Sequence, residues 1–148
     1  MNRPLVFLVA VLVAFACGWA AFGYSQHSEA KLREVVEASD FATQMEKYRV
    51  NVRLPGNTRA ERALWLQLGE QLSFRRRNNP TFSSDMLSVE AAYTYVRLSE
   101  LAKDRKDEMA SLELMEDAVA ICKESSSVNC LAKDLLKIVR VVDGKETP

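Results

Sequence analysis

From Leu5 to Tyr24 the chain runs for about 20 residues without a formal charge, and a helix of that length rises about 30 Å, the depth of a bilayer's hydrocarbon. No other feature restricts the fold as strongly. Arg3 stands before the run, and Trp19, Phe22 and Tyr24 gather at its far end. Ser25-Gln26-His27-Ser28-Glu29 then returns abruptly to polar sequence. Aromatic rings favour the membrane–water boundary, so residues 4–24 are expected to form a retained N-terminal transmembrane helix, the anchor occupying 1–24. Cleavage is a rival fate, because Ala14 and Ala16 in "AFAC" have the spacing a signal peptidase prefers, ahead of Cys17. Such a cut would leave "CGWAAFGY" as an apolar end facing water.

The same four residues resemble a bacterial lipobox, in which Cys17 would carry lipid, although Ala14 and Phe15 depart from its usual leucine and small residue. For orientation, Arg3 and the amino group before the span nearly balance Lys31 and Arg33 after it. A very short tail ahead of an uninterrupted apolar run behaves as a signal anchor. The N-terminus is therefore expected in the cytoplasm and the C-terminal domain outside, as in a bacterial inner-membrane protein facing the periplasm.

The chain has 148 residues, room for one small domain beyond the anchor. Lys+Arg and Asp+Glu both number 20, and this neutrality argues against nucleic acid as a partner, since polyanion binders carry a basic excess. Three cysteines and one histidine are too few and too scattered for a metal framework. Neither a cofactor nor a small-molecule substrate is implied.

The remainder reads as all-α. Residues 25–54 form a juxtamembrane helix, a stalk or an element packed on the domain. Leu32, Val35 and Val36 share a face there, while Phe41 and Tyr48 fall on another. Pro55-Gly56 opens a hairpin domain over 55–148. Thr58 and Glu61 have capping-box spacing, and Ala60, Leu64, Leu68 and Leu72 make the next helix's buried stripe. Ser84 or Ser88 is expected to cap the third helix. Leu112, Met115, Ala118, Val119 and Cys122 face inward from the fourth. Ser127 is expected to cap a fifth helix, with Val128, Leu131, Leu135, Ile138 and Val142 as its stripe and Gly144 as its terminator. Short links make neighbours antiparallel hairpins.

"WLQLGEQL" resembles the first helix of a tetratricopeptide repeat, with Trp65, Leu68 and Gly69 in place and Leu72 where Tyr is usual. A looser match runs through Tyr95, Leu98, Ser99 and Ala102, then Ser111, Met115 and Ala118. It departs at Ser99 for Gly, at Ala102 for the aromatic and at Lys123 for Pro. Pro80 falls where the first unit's second helix would run. The resemblance implies a concave helical surface that binds protein segments.

Among residues that could carry chemistry, Cys122 and Cys130 flank "KESSSVN" and can meet across a hairpin; a bridge is expected only if the domain lies in an oxidising compartment. Cys130 would sit about 120° from its helix's stripe, which opposes the pairing. No Cys-x-x-Cys suggests redox catalysis. His27 reads as a juxtamembrane linker residue rather than a proton sensor. Arg75, Arg76 and Arg77 can contact an anion or lipid headgroup, or complement a helix C-terminus. Glu113, Glu116 and Asp117 form a solvated face rather than an acid–base pair. No nucleophile–base pair points to an enzyme. Trp65, Leu68, Tyr93 and Tyr95 are candidates for a partner groove or for the core. Together these features predict a membrane-tethered protein–protein interaction module.

Overall fold

The structure, a computed structural model, describes residues 28–52, 56–77, 79–125 and 129–145. The expected span at residues 4–24, with Cys17, lies outside them, as do His27, Ser127 and Val128. Among the described residues no helix is long and apolar enough to cross a membrane. All their regular structure is helical: α1 over 28–52, α2 over Asn57–Arg76, α3 over Ser84–Asp104, α4 over Glu108–Cys122 and α5 over Ala132–Val142.

The chain divides into two compact units, Met1–Glu37 and Ala38–Pro148. In the first, Arg33 Nε donates to Glu37 Oε1 at 3.2 Å across one helical turn, and Leu32, Val35 and Val36 are all exposed. In the second, α1 contributes a different face. Ala38, Phe41 and Met45 are buried with Phe74 and Leu87, and Phe82 and Tyr48 pack alongside. Phe41 and Phe74 stack with centroids 4.2 Å apart, and Phe82 meets both edge-on.

α3 is the central helix of this unit. Its buried residues, including Leu87, Ala91, Ala92, Thr94, Val96, Leu98, Ser99 and Ala102, face more than one neighbour, and α2, α4 and α5 all pack on it. Small residues face each other between α3 and α4, where Ser99 Oγ donates to the Ser111 carbonyl at 2.8 Å. The main core joins Leu64 and Leu68 of α2, Ala91, Ala92, Val96 and Leu98 of α3, Ala118, Ile121 and Cys122 of α4, and Leu135 and Val139 of α5.

Of the stripe expected on α2, Ala60, Leu64 and Leu68 are buried and Leu72 is half-buried against the core, while Ala63, Gln67, Gln71 and Phe74 join the buried side. Other local expectations are corrected. Gly56, at φ 119, stands at the N-cap of α2, so the Thr58–Glu61 box does not form; Glu61 bonds Arg105 instead. α3 is capped by Ser83, whose side chain accepts from the Met86 N–H at 3.1 Å, while the Ser88 hydroxyl turns back to the Ser84 carbonyl. Leu112 is 65% exposed, and Ser111, Ala118, Ile121 and Cys122 form the buried side of α4. α5 begins at Ala132 after Leu131. Its inward residues are Leu135 and Val139, with Leu131 and Val142 exposed. Gly144, at φ 70, closes α5: its N–H reaches the Val141 carbonyl, and the Lys145 N–H reaches that of Arg140.

Candidate partner-binding surface

The four residues considered for a groove are not gathered on one surface. Leu68 is inside the core. Trp65 stands on the outer face of α2, 46% exposed. Tyr93 and Tyr95 are half-buried against the core from opposite sides of α3, Tyr93 beside Glu90 and Arg97 and Tyr95 beside Asp117 of α4. Residues two apart on a helix are about 200° apart, which separates them. Burial raises both phenol pKa values above the ordinary 10.0. The Glu90 charge adds to this at Tyr93 against an opposing Arg97, and the Asp117 charge adds to it at Tyr95.

The arginine cluster is also divided. Arg75 bonds Glu124 just beyond the C-terminal end of α4. The Arg77 guanidinium carbon lies 5.9 Å from the centroid of the Phe74 ring. Arg76 is exposed, and with Arg75 it is a cation in the last turn of α2. Of the three, Arg76 and Arg77 remain outward for an anion.

Cys122 and Cys130 form a disulfide, with Cα atoms 5.6 Å apart. The angular objection does not apply, because Cys130 precedes α5 and is free of its helical register. The bridge ties the end of α4 to the segment entering α5. Ion pairs hold the other end of α5. Arg97 makes a forked contact with Asp143 at 2.7 and 3.0 Å, while Glu100 accepts from Arg140 at 2.9 Å and from Lys145 at 3.3 Å.

Two features escape a reading of the sequence. One is a buried polar group between α2 and α3: Gln67 Nε2 donates to Thr94 Oγ1 at 3.4 Å, and Thr94 Oγ1 lies 3.0 Å from both Gln71 Oε1 and the Glu90 carbonyl. Glutamines at the spacing of an apolar stripe are its sole signal. The other is the outer face of α2. Thr58, Glu61, Arg62, Trp65 and Leu66 line a shallow depression there. Leu66 is 51% exposed, and a Cβ built on Gly69 would meet nothing within 4 Å. Thus among the described residues Gly69 serves no close helix approach.

No family model, characterised protein or solved structure matches the chain.

Proposed function

We propose that this protein is a membrane-tethered helical interaction module whose domain works on the extracytoplasmic side, as an adaptor or small subunit of a cell-envelope complex. The observation that carries the reading is the Cys122–Cys130 bridge, because disulfides persist in oxidising compartments. The charge-free run at residues 5–24 supports the tether. Confinement to a thin layer beside the membrane raises the effective concentration of partners anchored in the same layer. The outer face of α2, with Trp65 and Leu66, offers the apolar anchor residues that interfaces favour. A lipid- or anion-binding role through Arg75 to Arg77 is the weaker reading, since Arg75 is taken by Glu124.

Labelling in intact cells with a membrane-impermeant thiol reagent tests the proposal. Cys122 and Cys130 are expected to react only after treatment with reductant. Reaction only after lysis would put the domain in the cytoplasm and defeat it. The mass of the mature N-terminus then distinguishes a retained span from cleavage or lipidation at Cys17.

A further inference from the structure

We infer that the outer face of α2 is a self-association surface: a second copy of this chain docks there, the two helices antiparallel about a twofold axis at Leu66. This deepens the interaction-module reading, on which it rests, by naming the partner for the α2 face.

The inference starts from Gly69. A glycine in a helix interior is destabilising relative to alanine, and nothing among the described residues of the single chain requires it, since a Cβ there would meet open space. One turn before it stand Trp65 and Leu66, large apolar side chains left about half exposed. Two charges flank this patch, Arg62 and Glu70, and among the described residues neither has an ion-pair partner. At about 100° per residue, Arg62, Leu66 and Glu70 form one row along α2, and Trp65 and Gly69 lie on the same flank of it.

A twofold axis converts this arrangement into complementarity. Arg62 and Glu70 stand at equal distances on either side of Leu66. Two antiparallel copies centred there put Arg62 of each opposite Glu70 of the other, and Leu66 against Leu66. The axis keeps the Trp65–Gly69 flank of one copy on the same side as that of the other. Helical side chains lean toward the N-terminus of their own helix, so each indole lies over Gly69 of the second copy, where a side chain would obstruct it. An isologous contact of this kind uses one patch twice. A single helix face is smaller than the roughly 800 Å² per partner of a standard interface, so the dimer is weak in dilute solution and forms where the chain is concentrated.

The test uses the full chain in the membranes of cells that make it, with a membrane-permeant oxidant. Leu66→Cys is expected to yield a covalent dimer whose digest contains the linked 66–66 peptide. Leu112→Cys, at a more exposed leucine on α4, yields none through position 112. Adding Gly69→Leu to Leu66→Cys is expected to cut dimer yield about tenfold while the thermal midpoint of the chain does not fall, because Gly69 is exposed, a Cβ there meets nothing within 4 Å, and leucine favours the helix over glycine. Arg62→Glu and Glu70→Arg are each expected to lower the yield severalfold, and the two together to restore it. Absence of the 66–66 linkage, a yield indifferent to Gly69→Leu, or cross-linking of the introduced thiol to a different protein instead overturns the inference. Thiol accessibility reads the side of the membrane and cross-linking reads the contact, so failure of the one is distinguishable from failure of the other.

Discussion

Thr94 has one hydroxyl proton and three polar neighbours in a fully buried position. A hydroxyl donates once and accepts from others, so it can bond Gln71 or Glu90 while accepting from Gln67. Thr94→Val keeps the shape and removes the centre of this group. It is expected to destabilise the fold by about 2 kcal/mol in urea unfolding, since buried amides are left without a partner. Replacing Gln67 and Gln71 by Leu in the same chain is expected to recover most of that loss. A second residue-scale prediction concerns pH. The fold raises the phenol pKa of Tyr93 and Tyr95 above 10.0. The stabilisation tied to the neutral rings is complete below pH 10 and disappears as pH rises through the folded values. Tyr93→Phe/Tyr95→Phe is therefore expected to lose stability less steeply above pH 10, measured by alkaline denaturation. At this scale hydropathy does not separate Trp65 from Leu68: both are apolar, and their side of α2 depends on where α3 packs. Nor does it mark Gln67 and Gln71 as interior, because only Thr94 on another helix makes their burial tolerable.

Between α3 and α4 the chain turns through Arg105, Lys106 and Asp107. Lys106 adopts φ 64, its N–H reaching the Lys103 carbonyl and that of Asp107 the Ala102 carbonyl. The Asp107 side chain then accepts from the Ala110 N–H and caps α4. This is a left-handed helix stop occupied by a residue with a Cβ, so Lys106→Gly is expected to stabilise the protein by about 1 kcal/mol, read by denaturant midpoint. The helix count and the small links are legible from turn residues and apolar spacing. The stop at Lys106 is not, because lysine carries no signal for a positive φ, whereas Gly144 at the equivalent place after α5 does. The start of α5 is obscured for a related reason: Leu131 has the right spacing for a stripe but stands before the helix, exposed. α5 rests on two buried side chains, a disulfide at one end and ion pairs at the other. Reduction of Cys122–Cys130 reopens a short loop and is expected to remove about 2–3 kcal/mol by the chain-entropy account. Hydrogen exchange should show the loss first in residues 132–142, with α3 protected longest.

At the scale of the whole molecule, the break at Pro55-Gly56 points to a hairpin domain starting there, yet the unit Ala38–Pro148 begins inside α1. The apolar run Leu32, Val35 and Val36 marks one face of that helix, while packing uses the face carrying Ala38, Phe41 and Met45. Ala38, Phe41 and Met45 recur at the i, i+3, i+7 spacing of a helix stripe, but the Leu32, Val35 and Val36 face competes with it in the same helix, and the choice between them depends on Phe74, Phe82 and Leu87 being assembled far along the chain. Phe41 stacks on Phe74 and also meets Phe82, and Leu87 belongs to the same cluster, so removing α1 uncovers Phe74, Phe82 and Leu87 together. A chain beginning at residue 55 is accordingly expected to aggregate or to expose a dye-binding apolar surface, whereas one beginning at residue 28 folds with a single cooperative transition. Phe41→Ala in the full chain provides the graded version: deletion of a stacked, buried ring is expected to cost about 3–4 kcal/mol, with the helical signal of α3 to α5 retained because their shared core lies in the other cluster. If the chain from residue 55 were as stable as the longer one, the contribution of α1 to the unit would be negligible.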